Sequence, residues 1–154
     1  MPFLCEIVTQ ERQVYSGEAE YVSLPGTDGR MGVLPNHAPM LTSLSFGEVM
    51  VRNDGEEEHI AVGGGFAEIQ PDHVVVLADS AEYAEEIDIE RAEQAREKAE
   101  RAMSEGVPED AARYAQIEAA LRRAQIRIDV SMRRSGARRR RLDFAGSESQ
   151  EETN

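Results

Sequence analysis

Polar and apolar residues alternate along the first half of the chain and recur at helical spacing along the second. Residues 3–8 and 18–24 carry the period-two pattern of half-buried strands. Short strands of the same kind are predicted at 32–34, 40–44, 48–52, 58–62, 65–70 and 73–79. Turn chemistry separates them. Pro25-Gly26-Thr27-Asp28-Gly29 supplies a preset φ and positive-φ positions, while Asn53-Asp54-Gly55 and Gln70-Pro71-Asp72 mark hairpins. Many short strands with frequent turns predict an antiparallel β-sandwich or barrel.

The pattern changes over Glu85-Glu86-Ile87-Asp88-Ile89-Glu90-Arg91-Ala92. Asp88 suits an N-cap, and Glu90 places negative charge in the first turn of a helix that runs to about Met103. Ser104-Glu105-Gly106-Val107-Pro108 interrupts it, and Pro108 suits the first turn of a second helix reaching about Met132. Tyr114, Ile117, Leu121, Ala124 and Ile128 form that helix's apolar stripe. A short Gly/Pro loop between two helices predicts an antiparallel hairpin. The domains are therefore 1–84 for the sheet unit, 85–134 for the hairpin, and 135–154 as a disordered, Arg- and Ser/Glu-rich tail. The stripe is narrow and rich in alanine, so the hairpin buries little surface and is marginally stable on its own.

Charge narrows the choice of partners. The net charge is −13, and residues 1–84 hold 3 arginines against 14 acids, a poor surface for nucleic acid. Residues 133–154 reverse this with 6 arginines against 4 acids. Cys5 is the only cysteine, which excludes an internal disulfide and fits a reducing compartment. No stretch approaches the roughly 20 apolar residues that span a bilayer, so the protein is expected to be cytosolic, or peripheral to a membrane through a partner.

Chemistry-bearing motifs are few. Gly63-Gly64-Gly65 leads into a strand, with neither a following helix nor a Gly-Lys-Ser/Thr; a bulge or close backbone approach suits it better than a phosphate loop. His37, His59 and His73 are the only imidazoles that a cupin-like metalloenzyme has available, and their separations match no compact ligand motif. A free-standing adaptor that self-associates through Tyr114, Ile117, Leu121 and Ile128 is a further alternative.

The segments Gly32-Val33-Leu34-Pro35-Asn36-His37-Ala38-Pro39-Met40, Gly63-Gly64-Gly65-Phe66-Ala67-Glu68-Ile69 and Val74-Val75-Val76-Leu77-Ala78, with the helical tail, resemble the epsilon subunit of F-type ATP synthases over residues 3–132. That resemblance implies a sandwich of about ten strands followed by a two-helix hairpin. It implies a non-catalytic rotor subunit of the central stalk, coupling c-ring rotation to ATP synthesis through the gamma subunit. It also implies a peripheral protein at the cytoplasmic face of the cell membrane that touches the membrane only through the c-ring. Arg30, Gly32 and His37 are then candidates for contact with gamma and the ring, while the plain reading of His37 is a polar residue closing a Pro-bracketed turn.

Some bacterial members of the family bind ATP through an Ile/Leu-Asp-x-x-Arg-Ala motif and arginines of the second helix. Ile87-Asp88-Ile89-Glu90-Arg91-Ala92 matches it, and Arg123 and Arg127 stand one turn apart. The resemblance thus implies a regulatory ATP site of Glu82, Asp88, Arg91, Ala92, Arg123 and Arg127, with no required cofactor. The alternative reading of Asp88 is an N-cap with Arg91 as its i+3 salt-bridge partner. The implied mechanism is a switch. The folded hairpin occupies its arginines, and the opened hairpin turns Arg122, Arg123, Arg127, Arg133 and Arg134 toward the catalytic beta subunits and inhibits hydrolysis.

Overall fold

The computed structural model describes residues 1–106 and 109–148, with side chains described to residue 134. Eight strands come first: β1 (Phe3–Val8), β2 (Gln13–Ala19), β3 (Tyr21–Gly26), β4 (Gly29–Val33), β5 (Met40–Asn53), β6 (Glu56–Ile69), β7 (His73–Ala78) and β8 (Ala81–Tyr83). One 3₁₀ turn, Ala84–Glu86, leads into α1 (Ile89–Ser104) and α2 (Ala111–Glu148).

The strands hydrogen-bond in the order β2-β1-β7-β6-β5-β3-β4, with β8 added on β6. The pairs are antiparallel except β1 with β7, which run parallel, so the expectation of a purely antiparallel sheet is corrected at this one seam. The chain reaches β7 from β1 only after the whole β2–β6 excursion, and such a long connection permits a parallel return.

Fewer strands appear than the ten implied, because β5 and β6 are each 14 residues long. Each fuses two of the short strands read from the sequence. Their ladder skips a step between Leu44↔Gly65 and Phe46↔Gly63, and there the ribbon bends from one layer of the sandwich into the other. The glycine run makes the bend. Gly64 and Gly65 have φ of 98° and 119°, and a Cβ on Gly65 would lie 2.0 Å from the Leu77 carbonyl oxygen. Close backbone approach is therefore what this run provides. The Asn53↔Glu56 pair is closed by Asp54 and Gly55, both at positive φ, the conformation a tight two-residue hairpin needs.

The core is aliphatic, as a chain without tryptophan requires. Ile7, Leu24, Ile60, Ile69, Val22, Val49, Val74 and Val76 are fully buried between the layers together with Cys5. Burial raises the Cys5 thiol to about 12.

Asp88 caps α1: its carboxylate accepts the Arg91 backbone N–H at 3.0 Å. Asp110 does the same for α2, accepting the Ala112 N–H at 2.9 Å. Pro108, read as part of that first turn, lies outside the described residues. Backbone of α2 continues to Glu148, beyond the Met132 end read from the sequence and through much of the segment read as a disordered tail. Alanine, leucine and arginine in 137–142 are good helix formers, and a single Gly136 costs only about 1 kcal/mol. Residues 149–154 of that tail lie outside the described residues.

Candidate functional site

The hairpin folds back on the sandwich, and its docking line can be built from the strand register. On β6, Ile60 and Val62 point into the core while His59 and Ala61 point outward. Ala61 pairs with Glu48 of β5 on one side and Glu82 of β8 on the other. Glu48, Ala61 and Glu82 therefore form one row across three strands. Helix α2 sets Val130 on Ala61, with Ala84 and Ile87 of the joint beside it and Ile126 packed against the same cluster. Arginines three positions either side of Val130 flank that apolar line.

Each reaches one end of the row. The Arg127 guanidinium donates to both Glu82 oxygens, at 2.8 and 3.0 Å. On the other flank the Arg133 guanidinium lies 3.1 Å from Glu48 Oε1. Arg134 donates to Glu58 at 3.2 Å and also pairs with Glu85 in the joint. The joint is tied from below as well, since Arg12 in the β1–β2 turn donates to both oxygens of Glu86, at 3.1 and 2.7 Å. That hydrogen bond holds the Glu86 carboxyl below its ordinary range, and it raises Arg12 in turn.

Glu48 is the most enclosed of these acids, 6% exposed. Burial pushes its carboxyl up, but His59 and the Arg133 charge together outweigh burial and hold it below its ordinary value. His59, equally buried, has Nδ1 3.5 Å from Glu48 and Nε2 3.5 Å from Glu57. At that length these are contacts rather than hydrogen bonds, and neither ring nitrogen has a hydrogen-bond partner among the described residues. Arg30 lies 3.6 Å from Glu48 as well.

Two cavities open between hairpin and sandwich. The larger, about 720 Å³, has Arg30, Glu48, Arg122 and Arg133 among its walls. The smaller, about 280 Å³, is lined by Phe46, Ser80, Glu82, Arg123, Ile126 and Arg127, among others. Arg123 lies over the Phe46 ring at 5.5 Å, a cation–π contact.

The site residues named from the sequence are thus divided. Glu82, Arg123 and Arg127 share the smaller cavity, whereas Asp88, Arg91 and Ala92 do not line it. Asp88 caps α1, Arg91 is exposed and Ala92 is buried. Arg30 faces the hairpin beside Glu48. Gly32 gives the Tyr21 ring its space, since a Cβ there would fall 2.7 Å from the hydroxyl. His37 closes its own turn, with Nδ1 2.8 Å from the Ala38 carbonyl oxygen. Glu48, Glu58, Glu85 and Arg12 were missed as partners. Glu48 is the one that the sequence flags, as an acid on a strand whose neighbours are apolar.

The three histidines stand apart, and among the described residues no group of three His, Cys, Asp or Glu is arranged to hold a metal. No described helix is long and apolar enough to cross a membrane. A β-sandwich with a two-helix hairpin docked across one face of its sheet is the class of architecture that the described residues define.

Residues 2–84 match the family model described as ATP synthase, Delta/Epsilon chain, beta-sandwich domain, and residues 85–132 match the long alpha-helix domain of the same family. The chain belongs to the ATP synthase delta/epsilon chain family. An ATP synthase epsilon chain of Dehalococcoides mccartyi is 50% identical over 130 residues, covering 84% of this chain and 91% of that protein. The epsilon chain of Moorella thermoacetica is 52% identical over 127 residues, covering 82% and 93%. Among solved structures, a chain of the Euglena gracilis mitochondrial ATP synthase, an OSCP/F1/c-ring assembly, superposes with a TM-score of 0.71 at 27% identity, over 80% of this chain and 78% of that one. A chain of the Tetrahymena thermophila central stalk/c-ring structure shares the fold at TM-score 0.61 and 8% identity, over 85% and 97%. Proteins of this kind are non-catalytic subunits of the rotary ATP synthase, and this chain is one of them.

Proposed function

We propose that the chain couples rotation to ATP synthesis as a central-stalk subunit, its sandwich seated on the gamma subunit and the c-ring at the cytoplasmic face of the membrane. Support comes from the outer face of β1-β7-β6-β5. Val8, Leu77 and Phe66 follow one another across three strands in register, and Leu41 and Leu4 lie on the same side. Leu77 and Phe66 are each 55% exposed and Leu41 71%. Exposed apolar side chains in register on one sheet face, interleaved with Glu6 and Glu68, suit a protein-docking surface.

The hairpin regulates hydrolysis. The observation that carries this reading is the composition of its docking line: a small apolar seam flanked by Arg–Glu pairs. Such an interface is specific in register yet weak enough to open. Released, Arg127, Arg133 and Arg134 exchange the sandwich glutamates for acidic segments of the catalytic beta subunits and block turning. Truncation after Ala84 tests this: ATPase activity of the assembled complex is expected to rise, and an unchanged rate counts against it.

ATP is the regulatory ligand of the docked state in this proposal. The smaller cavity supplies the Arg123 guanidinium for phosphate and the Glu82 carboxylate for a base amino or ribose hydroxyl group. Its volume is at the low end for a small-molecule site, so it takes part of a nucleotide rather than all of it. A nucleotide must also compete with Glu82 for Arg127, which limits affinity. A ligand that binds only the docked hairpin stabilises it by RT ln(1 + [L]/Kd), about 2.7 kcal/mol at a hundredfold excess over Kd. Calorimetric titration of the chain with ATP tests the site; no heat up to millimolar nucleotide overturns it.

A further inference from the structure

We infer that His59 is a proton-binding site that controls release of the hairpin, acting through the Glu48 carboxylate it shares with Arg133. The inference deepens the regulatory reading above and rests on the hairpin being releasable.

Glu48 Oε1 is the common atom. Arg133 of α2 lies 3.1 Å from it, His59 Nδ1 3.5 Å and Arg30 of β4 3.6 Å. Both His59 ring nitrogens are buried and without a hydrogen-bond partner among the described residues, a costly arrangement. The groups facing the imidazole can be followed element by element. Its own strand β6 supplies Glu57 at 3.5 Å from Nε2, and Glu58 follows. From β5 come Glu48 and Arg52, the latter already paired with Glu57 at 2.7 Å. From β4 comes Arg30, and from α2 come Arg133 and Arg134, the latter on Glu58.

Protonating His59 places a second cation beside Glu48 while Arg133 is still on it. Like charges sharing one carboxylate oxygen repel, and the only one of them free to leave with an element is Arg133. A second effect has the same sign. His59 lies on the sheet face that α2 covers, so the imidazolium loses solvation in the docked state and regains it when α2 departs. Both effects make the released state the one that takes up the proton, and by linkage acidification favours release. Once α2 has left, the imidazolium keeps Glu48 and Glu57 as its counter-ions, so the bare sheet face carries its charges paired.

The test follows hairpin position in the full chain by energy transfer between dyes on Asp28→Cys and Glu97→Cys, both exposed and outside the docking line. Cys5 is buried and stays unlabelled. From about pH 8 to about pH 5.5, a range that brackets ordinary histidine titration, the released-to-docked ratio is expected to rise about tenfold. His59→Gln is expected to hold the ratio constant over the same range. His59→Phe, which fills the slot without a titrating nitrogen, gives the same reading should the amide variant not fold. The triple change Arg127→Gln, Arg133→Gln and Arg134→Gln is expected to release the hairpin already at the higher pH.

A wild-type ratio that does not move with pH, in a chain whose triple variant does release, overturns the proton site and leaves the regulatory reading intact. A triple variant that stays docked overturns both. A pH response retained by His59→Gln and His59→Phe assigns the proton elsewhere and also overturns it.

Discussion

Arg127 and Glu82, 45 residues apart, meet in a two-pronged ion pair with both prongs at 3.0 Å or less. The pair is less than a third exposed on each side, so losing one partner strands a part-buried charge. Arg127→Gln and Glu82→Gln are each expected to destabilise hairpin docking by about 1–3 kcal/mol. The double change should cost less than the sum of the two, leaving a coupling of about 1 kcal/mol. Amide hydrogen exchange over 111–132, compared across the four chains, measures it. Additive single effects would show that the pair carries no energy of its own.

Glu82→Gln also bears on nucleotide binding. It frees Arg127 and raises the positive charge of the smaller cavity, but it removes a carboxylate acceptor. If phosphate dominates recognition, ATP binds several-fold more tightly to Glu82→Gln than to the parent chain; if base or ribose contact dominates, it binds more weakly. Calorimetric titration of both chains decides between these outcomes.

Two glycines at positive φ should respond very differently to alanine. At Gly65 a Cβ meets the Leu77 carbonyl oxygen at 2.0 Å, backbone that cannot step aside without opening the β6–β7 ladder. Gly65→Ala is expected to cost about 3 kcal/mol or more. Gly55 has φ 76° and nothing within 4 Å of its Cβ position, so Gly55→Ala carries only the strain of the turn, about 1 kcal/mol. Urea denaturation midpoints of the two variants test the contrast.

Much of this architecture can be read from residue order alone. The turn at Asp54-Gly55, the N-cap at Asp88 and the change of period over Glu85–Ala92 are local signals, and each is found where its chemistry places it. What stays hidden is non-local. Nothing in the spacing of 40–44 and 48–52 reveals one bent strand rather than two, because the bend depends on Gly65 approaching Leu77 across a different pair. The Glu48–Ala61–Glu82 row is hidden for the same reason: it exists only once the β5–β6–β8 register is set. Arg123 and Arg127 were legible as a pair on α2, but their partners, Phe46 and Glu82, lie on strands far away in sequence.

Cys5 gives a direct probe of global opening. It is fully buried, and burial raises its thiol to about 12, so almost no thiolate exists at neutral pH. Alkylation by iodoacetamide is expected to require unfolding of the sandwich and to be unaffected by release of the hairpin. The triple arginine variant should therefore label no faster than the parent chain. Faster labelling would mean that sandwich and hairpin open together.

Acid should also release the hairpin through its carboxylates. Glu48 is held below the ordinary carboxylate value, burial opposing and His59 and Arg133 prevailing, and Glu86 is held down by the Arg12 hydrogen bond. A carboxyl whose folded-state pKa lies below the unfolded one contributes stability that is fully present above the unfolded value. That contribution is lost as pH falls through the folded value. For both acids the loss therefore begins below about pH 4.5 and ends lower still. Glu86 is largely exposed, so its share is small and falls with added salt, whereas that of Glu48 is enclosed and resists screening. In a His59→Gln chain the hairpin should stay docked until the pH falls below about 4.5 and then release as Glu48 takes up a proton. Energy transfer during an acid titration follows this, and a Glu48→Gln chain should show the hairpin already loosened at neutral pH, because the amide removes the charge that holds Arg133.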